Sequence, residues 1–237
     1  MQTEFFQNGI TFRQLETQFP LGTDTVLLAD FAKDCKGKVC DLCAGCGQVG
    51  LLLAAAGNAE ITCVELQEQA HREAEQNIVA NGLGGRMCAV RGDVREIRTL
   101  LPHSSFDAAV CNPPYFPADS GFAAKDESIA ISRTELCCTL KDVCDAAAWL
   151  LKTGGSFYLV HRSERLTDVL TALRECRLEP KLLRFVQHRE GAPYSLVLIK
   201  SVYGGKPGLS YLPTLVLHSA DGTDSAEYRK IYHMEDT

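Results

Sequence analysis

The chain has no apolar run long enough to cross a membrane: its longest candidate, residues 49–56, falls well short of the roughly 20 residues a span requires. Neither end shows a basic stretch leading into an apolar one, so no export signal is expected. Positive charge is not in excess either. The 24 Lys and Arg stand against 30 Asp and Glu, a formal net charge of −6, which argues against binding nucleic acid with the whole surface but leaves room for a local basic face. A complete metal-ligand set is also missing. Cys40, Cys43 and Cys46 form two overlapping C-x-x-C spacings, yet no second such pair and no paired histidine motif completes four ligands, so no metal is expected.

What is present points to an α/β protein. With 237 residues and 46% apolar content the chain can build a real core, as one α/β domain or two small ones. The 11 cysteines are odd in number and spread over expected strands and helices, which suits reduced thiols in a cytoplasmic protein rather than a disulfide framework.

Residues 38–43 (K-V-C-D-L-C) predict a strand, followed at once by a glycine loop and an apolar helix reaching residue 56. Gly45, Gly47 and Gly50 spell G-x-G-x-x-G, whose glycines let a loop turn tightly and bring its backbone close to a ligand at a helix N-terminus. Alone this is a weak signal. Residues 60–64 predict a second strand ending in Glu65, twenty residues after Gly45, where a carboxylate can take both hydroxyls of a ribose. A dinucleotide and S-adenosylmethionine both present such a ribose. Asp41, inside the first strand, suits either loop amides or the ammonium group of an amino-acid cofactor.

A helix over 69–80, with Ala70, Ala74 and Ile78 on one stripe, is closed by Asn81 and Gly82, and residues 87–90 give a third strand. Asp93 follows it, as an acceptor for an adenine amino group or as a helix N-cap. The fourth strand, 106–111, runs into Asn112, Pro113, Pro114 and Tyr115. Strand and helix alternating in right-handed units give a parallel sheet with these residues along its ligand edge.

Two prolines cannot extend a strand. They fix φ and remove two N–H donors, so the chain leaves stiffly with bare carbonyls and the Asn112 amide at the strand's carboxyl end. Two acceptors there can bind both hydrogens of an exocyclic amine on a planar ring, pulling its delocalised lone pair toward a tetrahedral, reactive geometry. Tyr115 and Phe116 offer faces to stack on, worth about 1–3 kcal/mol per base.

Beyond lies a polar stretch, 117–132, expected as a mobile loop near the substrate mouth. A helix over 134–151 ended by Thr153, Gly154 and Gly155, a strand 156–161, a helix 166–176 and an antiparallel strand pair, 181–187 and 195–202, complete the pattern. Near the start, Thr23 or Asp24 can N-cap a short apolar helix. Between His161 and Arg189, seven cations including Arg162 and Arg165 face four acids, a stripe that holds phosphates or is ordinary solvated surface.

Taken together, D-L-C-A-G-C-G, V-E-L-Q, Asp93 and N-P-P-Y-F resemble class I S-adenosylmethionine-dependent methyltransferases that modify amino nitrogens. With P-L-G-T-D-T-V-L-L-A-D-F-A, L-V-H-R-S-E-R-L, L-E-P-K and G-K-P-G-L, the chain resembles the bacterial tRNA1(Val) (adenine(37)-N6)-methyltransferase family over nearly its whole length. The resemblance implies a Rossmann-like sheet of seven strands, mostly parallel with one antiparallel, and helices on both faces. It implies residues 1–36 packing over the cofactor site and 37–237 as a single domain. It implies S-adenosylmethionine held by Thr23, Asp24, Asp41, Ala44, Gly45, Gly47, Glu65, Leu66, Asp93, Val94 and Asn112, with the methionine end at Asp41 and 44–47 and Leu66 on the adenine. The target adenosine of a tRNA would meet Asn112, Pro113, Pro114 and Tyr115, with Phe116, Arg162 and Arg165 as further substrate contacts, in a protein expected to be a monomer. Three rivals stay open: a methyltransferase acting on the glutamine amide of a release factor, a nicotinamide-dependent oxidoreductase using the same glycines, and a nucleic-acid-binding module that has lost catalysis.

Overall fold

The computed structural model describes residues 2–5, 9–14, 21–57, 59–113 and 138–233. Its centre is a sheet in which β3 (Gly37–Leu42), β4 (Ala59–Glu65), β5 (Met87–Arg91), β6 (Phe106–Cys111) and β7 (Leu151–Arg162) are parallel. β9 (Tyr194–Tyr203) is antiparallel between β7 and β8 (Leu178–Arg189). These seven strands, in the order β8-β9-β7-β6-β3-β4-β5, are the expected mostly parallel sheet with one antiparallel member. The sheet as a whole has nine strands, not seven. β10 (Ser210–Tyr211) and β11 (Leu215–His218) lie end to end along the outer edge of β8, both parallel to it. They are two and four residues long, too short to show a period-two pattern.

Alternation along each strand divides the core in two. Val39, Ala108, Val110 and Val160 face one layer, with α1 (Thr23–Phe31) and α2 (Gln48–Ala56). Cys40, Ala109, Phe157 and Leu159 face the other, under α5 (Leu140–Leu150) and α6 (Leu166–Glu175). The remaining helices are α3 (Glu68–Ala80), a short α4 (Ile97–Leu100) and α7 (Ala226–Ile231) near the end. Strands with apolar residues on both faces have no solvated side, which is why they read as apolar runs.

Three local expectations change. Neither Thr23 nor Asp24 caps α1: Gly22 is the N-cap, and Asp24 Oδ1 instead accepts from the Thr25 amide, within the first turn. The helix expected over 134–151 is described from Leu140, where Thr139 and Asp142 form a reciprocal capping box, and residues 134–137 lie outside the described residues. Its end is not made by Thr153, Gly154 and Gly155; the chain turns straight into β7 at Leu151. Those glycines serve an irregularity in β6–β7 pairing, where Gly154 has φ +85° and a side chain on Gly155 would collide with the Lys152 and Asp107 carbonyls. Asn81 and Gly82 do close α3, Asn81 as its C-cap, and Asn81 also exchanges hydrogen bonds with the backbone of Thr11 in β2 (Thr11–Gln14). β2 pairs with β1 (Gln2–Phe5) in a separate two-stranded ribbon. Among the described residues no helix is long and apolar enough to cross a membrane.

Candidate functional site

Because β3 and β6 are parallel neighbours with Leu42 paired to Cys111, the glycine loop and Asn112 leave the same edge of the sheet on adjacent strands, about 5 Å apart. β4 and β5 run the same way with Glu65 paired to Arg91, so Leu66 and Asp93 emerge on that edge too. Topology alone therefore gathers the residues picked out along the chain.

The loop is fixed from three sides. Cys43 (φ +57°), Gly45 (φ +55°) and Gly47 (φ +83°) are left-handed, and Gly47 is the N-cap of α2. Ala44 N donates to the Val64 carbonyl, and Asn77 Nδ2, buried in α3, donates to the Cys46 carbonyl at 3.1 Å. A side chain on Gly45 would meet nothing within 4 Å, whereas one on Gly50 would come within 2.9 Å of Cys63, Ile61 and Met87. Gly45 thus keeps the loop backbone open, and Gly50 lets α2 lie close on β4 and β5. Asn77 escaped the sequence reading, though as a polar residue on the buried stripe of α3 it carried a signal.

Glu65 is buried. Its Oε2 accepts from Gly45 N and its Oε1 from Gln67 N, each at 2.8 Å. Burial pushes its pKa up, against the pull of those amides. Two carboxylate oxygens offer about four acceptor directions, so the group holds the loop and keeps capacity for a ligand hydroxyl. Leu66 beside it is 37% exposed, an apolar face at the rim.

Asp41 faces α2. Its Oδ2 accepts from Gly50 N at 2.9 Å, so of the two partners expected for it the structure supplies the backbone amide. Burial raises its pKa to about 7, and the nearby Glu65 adds to the rise. Asp93 caps the short 3-10 turn Val94–Glu96 through Arg95 N, and Arg95 grips its carboxylate as well, which holds its pKa below the usual range. The capping alternative is the one seen, and Val94 is buried behind it.

Asn112 is half-buried, and its Nδ2 donates to the Thr25 hydroxyl of α1 at 3.1 Å. Pro113 is buried; Pro114, Tyr115, Phe116 and the 117–132 stretch lie outside the described residues. Thr23 and Asp24 sit in the first turn of α1, on the helix that carries Thr25.

The basic stripe is largely neutralised. Arg165 pairs with Asp168, Arg174 with Glu179 and Arg184 with Glu227, while Arg162 has Glu164 at 3.9 Å. Arg177 lies over the ring of Tyr203. These contacts match the solvated-surface alternative for most of the seven cations.

Among the described residues no grouping of His, Cys, Asp and Glu could hold a metal, and ten cysteines there are free thiols. Cys43 has Cys138 at 3.8 Å between sulfurs.

A family model of the methyltransferase small domain matches residues 17–177. A tRNA1(Val) (adenine(37)-N6)-methyltransferase of Aeromonas hydrophila is 28% identical, over 93% of this chain and 94% of its own. One of the same name from Erwinia tasmaniensis is 27% identical over 94% and 93%. Among solved structures, a predicted O-methyltransferase of Agrobacterium tumefaciens superposes with a TM-score of 0.72 at 20% identity, over 89% of this chain and 96% of that one.

Proposed function

The chain belongs to the methyltransferase small domain family, and from that premise we propose that it transfers a methyl group from S-adenosylmethionine to the exocyclic N6 amine of an adenosine in tRNA, the one beside the anticodon of a valine tRNA. The observation that carries the reading is the pairing of β3 with β6, which sets a glycine loop able to seat a donor next to an asparagine able to seat an amine. The amine and the RNA come from the names of relatives that match 93% and 94% of the chain, not from the arginine stripe, whose ion pairs weaken it as a phosphate track. The oxidoreductase alternative is set aside by the family match, which covers the glycine loop and Asn112 alike.

The residues present fit the cofactor. The backbone at Gly45 is open to the edge, Glu65 retains acceptor capacity for ribose hydroxyls, and Leu66 shows an apolar face suited to a planar ring. Residues 44–47 would hold the methionine end, with Thr23 and Asp24 covering it as part of the first 36 residues. Asp41 acts at one remove, by fixing Gly50 and the start of α2. Asp93 and Val94 would border the adenine, and Asp93 can accept its amino group only by loosening Arg95. When bound, S-adenosylmethionine supplies a methyl on a positively charged sulfur, already a good electrophile.

The protein's own part is alignment. Asn112 Oδ1 and the Pro113 carbonyl accept the two hydrogens of the amine and expose its lone pair, Tyr115 and Phe116 stack on the base, and Arg162 and Arg165 contact the RNA. No general base is required, because the amine gives up its proton once alkylated. Extruding the base costs a few kcal/mol, less in a loop than in a duplex, and stacking offsets part of that. The reading includes a cytoplasmic monomer.

The test is labelled methyl transfer into tRNA from cells lacking this gene, followed by nucleoside analysis. N6-methyladenosine beside the valine anticodon is expected. Label in a protein glutamine instead, or in no RNA, refutes the reading. Asn112→Ala should keep cofactor affinity and lose at least a hundredfold in turnover.

A further inference from the structure

We propose that Thr25 is a positioning residue for Asn112: its buried hydroxyl takes the hydrogen bond of the Asn112 amide NH2 and, together with the donor-only substrate amine on the other side, holds the amide oxygen toward that amine. This rests on the function proposed above and adds to it a residue from a different part of the chain, 87 positions away in sequence.

The contact is 3.1 Å from Asn112 Nδ2 to Thr25 Oγ1. Thr25 is 4% exposed, its backbone N–H is tied to Asp24 Oδ1, and the next residues, Val26, Leu27 and Leu28, are buried in the core. The hydroxyl therefore has a fixed address, whereas Asn112 follows a strand end and precedes a proline.

An asparagine amide has two orientations that fill the same space with opposite hydrogen-bonding character. With the oxygen outward, Asn112 accepts from the substrate amine. Turned over, it would present its own NH2 to that amine, donor against donor, and transfer would fail. A threonine hydroxyl can donate or accept, so by itself it tolerates both orientations. The substrate amine cannot, because its lone pair is delocalised into the ring and it acts only as a donor. The two partners together admit a single state, with Thr25 accepting on one side of the amide and Asn112 accepting on the other. Removing the hydroxyl takes one acceptor from a half-buried NH2, a cost comparable to the net value of one hydrogen bond, and weakens the hold on the productive orientation.

Thr25→Val keeps size and branching and deletes the acceptor. Under single-turnover conditions with tRNA lacking the modification, its rate constant should fall about five- to tenfold while affinity for S-adenosylmethionine stays within twofold. Thr25→Ser, which restores the hydroxyl, should recover most of the rate. In an Asn112→Ala background, Thr25→Val should change the residual rate no further, because the group it orients is gone. Cofactor titration of each preparation counts the folded sites, so a loss from misfolding is separated from a loss per site, and Thr25→Ser decides the matter if the valine variant is unstable. A valine variant with the wild-type rate, a serine variant as slow as valine, or the same proportional loss in the Asn112→Ala background overturns the inference. If wild-type protein places no methyl on adenosine N6, the functional reading falls first; if it does and Thr25→Val matches it, only this inference falls.

Discussion

Two buried titratable groups pull the stability of this protein in opposite directions with pH, and one substitution should expose the balance. Burial raises Asp41 from 3.8 to about 7, so between those values the folded chain holds a proton that the unfolded chain has released. Stability from this group is fully present below 3.8 and is lost as pH rises through 7. At about 1.36 kcal/mol per pH unit the loss is on the order of 4 kcal/mol. His161, 1% exposed in β7, runs the other way: burial first, and then the nearby Arg165, lowers it from 6.5 to about 4. Its contribution is present above 6.5 and lost as pH falls through 4, a gain on the order of 3 kcal/mol across the same window as pH rises. The two nearly cancel between pH 4 and 6.5. Asp41→Asn keeps an oxygen for Gly50 N, fills the same volume and removes the Asp41 slope, leaving those of His161 and of Glu65, whose pKa burial also raises. Urea midpoints at half-unit steps from pH 4.5 to 7.5 should show a variant whose stability rises with pH relative to that of the wild type. The gap should widen by at least 2 kcal/mol over that range. Every other group is common to both proteins, so parallel profiles would show that Asp41 is ionised in the fold and that its burial has been misjudged.

Two further substitutions test the loop. Gly50→Ala forces a methyl against Cys63, Ile61 and Met87 at 2.9 Å and should cost about 1–3 kcal/mol, measured as a lowered denaturant midpoint at unchanged slope. Glu65→Gln should weaken S-adenosylmethionine at least tenfold by calorimetry, because an amide offers one acceptor oxygen where Gly45 N and Gln67 N already engage both oxygens of the carboxylate.

The parallel half of the fold was legible because its central strands β3, β4 and β6 are mostly buried on both faces and each unit ends in strong punctuation: the glycine loop after β3, Asn81 and Gly82 after α3, two prolines after β6. Strand β6 was read to the residue, since a polar turn precedes Phe106 and an asparagine follows Cys111. The end of α5 was misread for a physical reason. Gly154 and Gly155 looked like a helix stop, but Leu150 and Leu151 are both fully buried, the one closing the helix and the other opening the strand, so the chain passes straight between them. The glycines were needed one step later, where β7 crosses close to the backbone of Asp107.

At the edge of the sheet, positions were easier to foresee than partners. Strand ends place Glu65, Asp93 and Asn112 on one rim whatever they touch, because parallel strands in register must end together. Which group each carboxylate or amide engages depends on residues that arrive from elsewhere: Arg95 two positions on, Gly45 twenty back, Thr25 on a helix that precedes the whole sheet. For Asp93 the partner is local and the capping alternative was visible from spacing alone. For Asn112 it is not, since no periodicity links Thr25 to it; only the packing of α1 against β7 and α2 brings the two together. Short-range chemistry can therefore nominate a catalytic amide, but its orientation is settled by tertiary packing, and that is the level at which a residue such as Thr25 acts.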